Sequence, residues 1–371
     1  MKKGKPNFWY KIFLFFNLIA IFCLLLSYGA TQTDPVKFWY LTLFGLAYPF
    51  LILINVFFVI FWTSLKKWYA ILSILTILGG LNLLKKTFAF RLKSTNDFTV
   101  DSNTIKLMTW NVHSFKKFGT ELDTTTRSKA LKIIASEQPD IVGFEEFFTR
   151  KRGHFDLKDS VLKILNTTYY HFSKGLYNDY EANGVALFSK YPIIASSDIE
   201  YDVHNAGNRG LWVDIKKGEQ IFRVYVVHLA SISFQPQDYT FLNDVKNDIN
   251  TGKDISSSKR IVRKLKDAFI RRSKQIKILK ADMAQCATPY IVMGDFNDTP
   301  VSYTVSQMTD GLKNGFNEKG SGLGITYNGD FPNFQIDYIL STPQFDFKSY
   351  KIIKKDYSDH YPVRCNVVLH N

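Results

Sequence analysis

Acidic, amide and imidazole residues recur at the ends of short apolar runs after residue 94. Ile105–Trp110 runs into Asn111, Ile141–Phe144 into Glu145-Glu146, Phe222–Val227 into His228, and Tyr290–Met293 into Gly294-Asp295-Phe296-Asn297. Asp337 stands at the start of Ile336–Leu340, and Ser358-Asp359-His360 precedes Val363–Val368. Loops at strand ends are where a rigid scaffold holds catalytic side chains, so this recurrence predicts one convergent polar site. The residue types suit metal-assisted hydrolysis of a phosphate ester. Oxygen donors without thiolates match Mg²⁺ or Mn²⁺ rather than zinc. An Asp beside a His can activate water, while Asn, His and a metal hold anionic oxygens without adding like charge.

The elements that must position these groups are short. Val185–Phe188 and Leu211–Ile215 complete the candidate strands, and Arg127–Glu137, Val161–Asn166 and Lys259–Ala284 read as helices. Strands interleaved with helices imply α/β layers. No repeat of 20–50 residues and no low-complexity tract interrupts them. The three cysteines, Cys23, Cys286 and Cys365, contain no CxxC pair and predict no zinc site.

In order along residues 103–370, the motifs Thr109-Trp110-Asn111-Val112, Gly143-Phe144-Glu145-Glu146, Asn183-Gly184-Val185-Ala186 with Ser189-Lys190-Tyr191-Pro192, Val227-His228-Leu229, Gly294-Asp295-Phe296-Asn297-Asp298, Ile336-Asp337-Tyr338-Ile339 and Ser358-Asp359-His360-Tyr361-Pro362 together resemble the endonuclease/exonuclease/phosphatase superfamily. The resemblance implies a four-layer sandwich of two mixed β-sheets flanked by helices. It implies a metal site of Glu146, Asn111 and Asp359. It implies that Asp295 orients or deprotonates the attacking water, that Asn297 and His228 hold the phosphate, and that Asp337 orients His360 for acid/base or transition-state support. The family commonly has Gln before its metal-binding Glu; here that residue is Glu145, and the motif register favours Glu146 as the ligand. His228 resembles the strand-end histidine of the deoxyribonuclease I, sphingomyelinase and phosphoinositide-phosphatase branches, which AP endonucleases lack. Arg209 is balanced between a phosphate contact and a surface arginine, and His113 reads as structural.

Residues 1–93 differ in kind. Three apolar runs, about 9–27, 38–62 and 68–84, are long enough for transmembrane helices, the third at the lower limit. Trp and Tyr gather at their ends, as interfacial aromatics do, and Gly45 and Pro49 invite a kink in the second. Residues 94–102 form a polar linker, and 103–371 the catalytic domain. Lys2, Lys3, Lys5 and Lys11 favour a cytoplasmic N-terminus, and Lys66 and Lys67 agree. Three crossings then place the catalytic domain outside the cytoplasm, as in a multi-pass protein of a bacterial inner membrane. Lys85, Lys86, Arg91 and Lys93 argue the other way, and a third run lying in the interface would leave the domain cytoplasmic.

Charge follows the same division. The chain carries 47 Lys+Arg and 33 Asp+Glu, net +14, but residues 1–93 hold 11 of the basic residues against Asp34 alone, leaving the rest near +4. The basic excess therefore flanks apolar helices, where it serves topology and lipid headgroups, and the case for nucleic acid weakens. The basic stretch Lys259–Lys280 reads first as a solvated helix face with an apolar stripe of Ile261, Leu265, Phe269, Ile276 and Leu279. Three functions compete: a membrane-anchored phosphodiesterase or phosphatase acting on a lipid or other phosphate ester, a tethered nuclease acting on DNA or RNA, and an inactive binding scaffold. No protein partner is implied.

Overall fold

The computed structural model describes residues 8–91, 103–116, 123–201, 207–246, 255–329 and 333–370. The linker expected at 94–102 and the N-terminal Lys2, Lys3 and Lys5 lie outside them.

Two six-stranded sheets form the centre of the fold. The first contains β1 (Thr104–Asn111), β2 (Ile141–Arg150), β3 (Tyr169–Tyr177) and β4 (Glu181–Ser189). The second contains β5 (Ile193–Glu200), β6 (Arg209–Lys217), β7 (Gln220–His228), β8 (Tyr290–Asp295), β9 (Lys313–Asn314) and β10 (Asp337–Ser341). The chain then returns to the first sheet with β11 (Phe345–Ile352) and β12 (Val363–Leu369). Strand order is β11-β12-β1-β2-β4-β3 in one sheet and β9-β10-β8-β7-β6-β5 in the other. Each sheet has a parallel pair at its centre, β1 with β2 and β7 with β8, flanked by antiparallel neighbours.

The layers follow from period-2 alternation in strands buried on both faces. Ile105 and Leu107 of β1, Val224 and Val226 of β7, and Ile291 and Met293 of β8 meet in the core between the sheets. Met108 and Trp110 turn outward beneath the helices Thr124–Glu137 and Leu157–Leu165. Tyr225, Val227 and Val292 turn outward beneath the long helix Ile255–Met283 and the short Tyr303–Met308. The outer helices have local causes. The Asp123 carboxylate accepts from the backbone N–H groups of Thr125 and Thr126 at a helix N-terminus, and Leu157, Val161 and Leu165 bury one face at four-residue spacing. The expected four-layer α/β sandwich is thus present. Strands β3, β5, β9 and β11, which the sequence did not reveal, are its four edges. Residues of β3 and β5 are mostly exposed, those of β11 mostly half-buried, and β9 has two residues, so the apolar signal is correspondingly diluted.

The N-terminal region is helical. Phe8–Ala30 is long and apolar enough to cross a membrane by itself. The other two runs are broken. Tyr40–Leu46 and Tyr48–Ser64 meet at 64°, and Ala70–Gly79 and Leu81–Thr87 at 68°, so up to three spans exist only if each bent pair counts as one. Pro49, in the first turn of its helix, lacks the N–H that would continue the preceding one. Beside the buried apolar cluster of Ala20, Phe58, Trp62 and Ala70 runs a polar chain. Asn17 Nδ2 donates to Ser73 Oγ at 2.7 Å, Ser73 Oγ to Asn55 Oδ1 at 3.2 Å, and Trp62 Nε1 to Asn17 Oδ1 at 2.9 Å, all buried. Phe15, Phe22, Leu53, Phe57, Ile60 and Leu75 face outward and exposed.

Gly294 sits where β8 presses on β7. Its φ is +139°, and an added Cβ would lie 2.1 Å from the Val227 carbonyl oxygen. Gly294→Ala is therefore expected to cost about 2–3 kcal/mol and to lower the thermal midpoint of the full chain by on the order of 5 °C, read by differential scanning fluorimetry in detergent.

Candidate active site

Parallel pairing places the carboxyl ends of two neighbouring strands at one rim, where open α/β sheets bind ligands. In register, Asn111 at the end of β1 stands opposite Glu145 of β2, and His228 at the end of β7 opposite Asp295 of β8. The antiparallel neighbours start where these end. Asp337, first residue of β10, pairs with Asp295, and His360 precedes β12, whose Val363 pairs with Thr109. All eight expected site residues therefore come to the same rim of the sandwich.

Their contacts form one network. Asn111 Nδ2 donates to Asp295 Oδ2 at 3.1 Å and to Glu146 Oε1 at 3.3 Å. Asp295 also accepts from the Asn297 backbone at 2.8 Å and from Asn297 Nδ2 at 3.0 Å. His360 Nδ1 lies 3.0 and 3.1 Å from the two Asp337 oxygens, and its Nε2 lies 3.7 Å from Asp295 Oδ2. His228 Nε2 stands 3.7 Å from Asp295 Oδ2 and 3.8 Å from Glu146 Oε1, yet neither of its buried ring nitrogens has a hydrogen-bond partner among the described residues. Ser358 Oγ donates to the Asn111 carbonyl at 2.8 Å and accepts from the His360 backbone at 3.2 Å, tying the two sheet-one segments together. Backbone strain concentrates here. His113, Ser114, Phe115, Glu146 and Asn297 all have φ between 43° and 56°, the kind of cost that persists where surrounding structure over-determines it.

The Glu pair resolves by geometry. β2 does not stop at Phe144 but continues to Arg150 through an irregularity between Phe144 and Phe147. That bulge leaves Glu145 fully inside, accepting from Thr109 Oγ1 at 2.9 Å with its other oxygen unpaired. Glu146 instead turns into the cavity. Burial, with the charges of Asp337 and Asp295, pushes Glu145 well above the usual carboxylate range, which favours its neutral form. Burial opposes ionisation of Glu146 too, but the hydrogen bond from His113 and the charges of His228 and His360 prevail and bring its pKa down to about 2. Burial pushes Asp295 up to about 6; His360 and His228 pull against this, and Asp337 adds to it. For His360 burial acts downward, and Asp337 and Asp295 outweigh it, so its pKa stands well above the ordinary imidazole value.

His113, read as structural in the sequence, belongs to the site. Its Nδ1 lies 3.5 Å from Glu146 Oε2 and 3.6 Å from Asp359 Oδ1, and its backbone N–H donates to Asn111 Oδ1. Its position two residues after Asn111 was the one available signal. Arg209 is a structural residue: it is buried, pairs with Glu200 at 3.1 Å, and donates to the Lys174 carbonyl. The basic helix spends several charges internally, Arg272 on Asp298 and both Arg260 and Lys264 on the buried Asp238. Cys23, Cys286 and Cys365 are all free.

The cavity at the rim holds about 240 Å³ and is lined by Asn111, Glu146, Asp295, Asn297, Asp359 and His360 among others. Its donors are oxygens and imidazole nitrogens, with no thiol. Among the described residues, ligand atoms of Asp295, Asp337 and His360 lie within 4.8 Å of one another, but Asp337 and His360 already occupy each other. Glu146, Asn111 and Asp359, by contrast, face the cavity.

An endonuclease/exonuclease/phosphatase family model matches residues 108–360, the span that carries this whole network. The chain belongs to that family. Its members hydrolyse phosphate esters and depend on divalent metal. A second model, a domain of unknown function, matches residues 10–87. None of the curated proteins matches the chain. Among solved structures, the chain is similar to the human Nocturnin catalytic domain with bound sulfate (16% identity, 74% of this chain and 97% of that one, TM-score 0.51). It is also similar to endonuclease/exonuclease/phosphatase proteins from Bacteroides vulgatus (16%, 72% and 99%, 0.51) and Beutenbergia cavernae DSM 12333 (18%, 72% and 72%, 0.50). At such identities the likeness is one of fold.

The two glutamates predict opposite mutants. Glu145→Gln replaces an acid pushed toward its neutral form by an amide of similar shape and is expected to leave Mn²⁺ affinity within about twofold. Glu146→Gln removes an ionised group facing the cavity and is expected to weaken Mn²⁺ binding at least tenfold, on the scale of a lost charged ligand. Isothermal titration of the two full-length variants separates these outcomes.

Proposed function

We propose that the chain is a membrane-anchored, Mg²⁺-dependent phosphoesterase, hydrolysing a phosphate diester or monoester by attack of water. The supporting observation is that Glu146, Asn111, Asp359, Asp295 and His360 line one cavity, with Asp337 buried behind His360 and His228 buried 3.7 Å from Asp295. Residues 103–371 form the catalytic domain in this reading, and 1–93 the membrane region.

Glu146, Asn111 and Asp359 would hold the cation, and hard oxygen donors favour Mg²⁺ or Mn²⁺. When bound, the cation supplies Lewis-acid stabilisation of the negative charge that develops on the phosphoryl oxygens. The chain's own groups do the rest. Asp295 accepts a proton from the attacking water, and Asn297, expected from the sequence to hold the phosphate, instead donates to both Asp295 oxygens and to the Leu229 carbonyl at 3.0 Å and fixes the carboxylate's orientation. His228 offers an unpaired ring nitrogen to a phosphate oxygen, which accounts for a buried imidazole otherwise left without a partner. Asp337 holds His360 protonated and oriented, so Nε2 can stabilise the anionic centre or protonate the leaving oxygen.

Anchoring is supported by helices that expose large apolar side chains while burying a polar contact chain. Asn17, Asn55 and Ser73 are inside, and Phe15, Phe22, Phe57 and Leu75 are outside. An exposed apolar surface of that extent suits hydrocarbon. The separate match to residues 10–87 agrees with a distinct unit. In the three-span arrangement, with a cytoplasmic N-terminus, the catalytic domain lies outside the cytoplasm; protease accessibility of the domain in spheroplasts reports its side.

His360→Ala and Asp295→Ala are each expected to lower kcat by at least about 10²-fold with an unchanged circular dichroism spectrum; near-full activity in a folded His360→Ala protein excludes this assignment. EDTA is expected to abolish turnover, and Mg²⁺ or Mn²⁺ to restore it.

The acid limb has a defined sign. Asp295 acts as base only when ionised, so kcat/KM is expected to be present above about pH 6 and to fall below it; a bound cation moves that limb to lower pH.

A further inference from the structure

Beside the polar cluster the cavity wall carries an apolar strip, and part of it comes from the N-terminal helical region. Leu46, last residue of Tyr40–Leu46, lines the catalytic cavity together with Ile232, Phe234, Phe269 and Phe334. Leu43 and Leu46 pack on Ile261, Leu265 and Phe269 of the long helix. A second cavity of about 190 Å³ lies at the junction between the helices and the catalytic domain. Its wall includes Gly45, Tyr48, Phe50, Leu323 and Ile325, and it shares Thr299 and Phe334 with the catalytic cavity. Phe50 and Leu323 are more than half exposed, so this second cavity borders the outward apolar surface of the helices.

The junction is fixed in place. The Asp34 carboxylate accepts from Ser273 Oγ and Lys277 Nζ, each at 2.6 Å. Gly45 approaches the catalytic domain so closely that a Cβ there would stand 2.3 Å from the Val301 carbonyl oxygen. A tether serving only to keep an enzyme near a surface needs no such contact and need not contribute a residue to the reaction cavity.

We infer that the substrate is an amphiphilic phosphate ester drawn from the bilayer, its phosphate at the His228–Asp295–His360 cluster and its hydrocarbon chain running past Leu46 and Phe334 into the junction cavity. This rests on the phosphoesterase reading and adds the substrate class. The apolar strip leaves a hydrocarbon chain favourably buried, whereas, among the described residues, the Lys or Arg side chain lining this cavity for a polynucleotide backbone to meet is Arg272, already paired with Asp298.

The test uses the full chain in phosphatidylcholine nanodiscs with Mg²⁺. Ethyl and dodecyl p-nitrophenyl phosphate serve as diesters, and ethyl and dodecyl phosphate as monoesters. For whichever class is hydrolysed, the dodecyl-to-ethyl ratio of kcat/KM is expected to be at least about tenfold higher in the wild type than in Leu46→Gln, on the scale of a few buried methylenes. Leu46→Met is expected to retain the wild-type ratio. Partition into the bilayer alone would leave the ratio equal in all three proteins and overturns the inference, as does a preference for plasmid DNA or RNA that falls steeply with salt. If neither chain length of either ester is hydrolysed, the catalytic reading fails separately. Dodecyl phosphate with a terminal diazirine then reports the chain's position: labelling at 45–50, 323–325 or 333–335 sustains the inference, and labelling confined to the outer faces of 8–30 and 48–64 overturns it.

Discussion

Two parallel strand pairs, one at the centre of each sheet, end at the same rim of the sandwich, and the site exists because of that arrangement. Parallel neighbours deliver two carboxyl ends side by side, so Asn111 meets the β2 glutamates and His228 meets Asp295. Antiparallel neighbours then deliver strand beginnings to the same rim, bringing Asp337 and the segment before β12. Any register slip would turn alternate side chains to the opposite face. The inter-sheet core of Val224, Val226, Ile291 and Met293 against Ile105 and Leu107 prevents it. Catalytic geometry here is a consequence of core packing a few residues away.

Crowding so many ionisable groups at one buried rim is costly unless each is compensated. Glu145 is pushed toward its neutral form, Glu146 is surrounded by three imidazoles, Asp337 is held by His360, and Asp295 is raised but hydrogen-bonded to two amides. Left over are His228, with both nitrogens unpaired, and two carboxylates, Glu146 and Asp359, sharing His113. An unpaired buried donor and converging carboxylates are the complement of an anionic phosphate and a cation. The strained φ values at His113, Glu146 and Asn297 lie in the same place, so local backbone cost and uncompensated polarity coincide with the proposed chemistry.

The helical region connects to this rim instead of merely preceding it. Its exposed apolar surface sets it apart from the catalytic domain, and the hairpin around Asp34–Ala47 is where the two regions pack together. Pro49 and the bend at Ala47 send the chain away from the domain after Leu46 has entered the cavity wall. Breaks that weaken the second and third runs as single spans also shape this junction.

Local order in the chain was enough to determine the strand ends, the polar types gathered there and hence the α/β sandwich and the class of chemistry. Period-2 burial and the ordered motifs are short-range signals that need no knowledge of neighbours. Edge strands β3, β5, β9 and β11 escaped because exposed, half-buried or two-residue strands alternate too weakly. The motif register pointed to Glu146, but the full burial of Glu145 beside it was decided by a bulge, not by sequence adjacency. His113 escaped because its φ of 43° and its two carboxylate neighbours arise only when β1, β2 and the Asp359 loop converge. The bends in the apolar runs and Leu46 beside the catalytic cavity were likewise decided by tertiary contact, since apolar length measures affinity for hydrocarbon and says nothing of where a helix must turn to meet another domain.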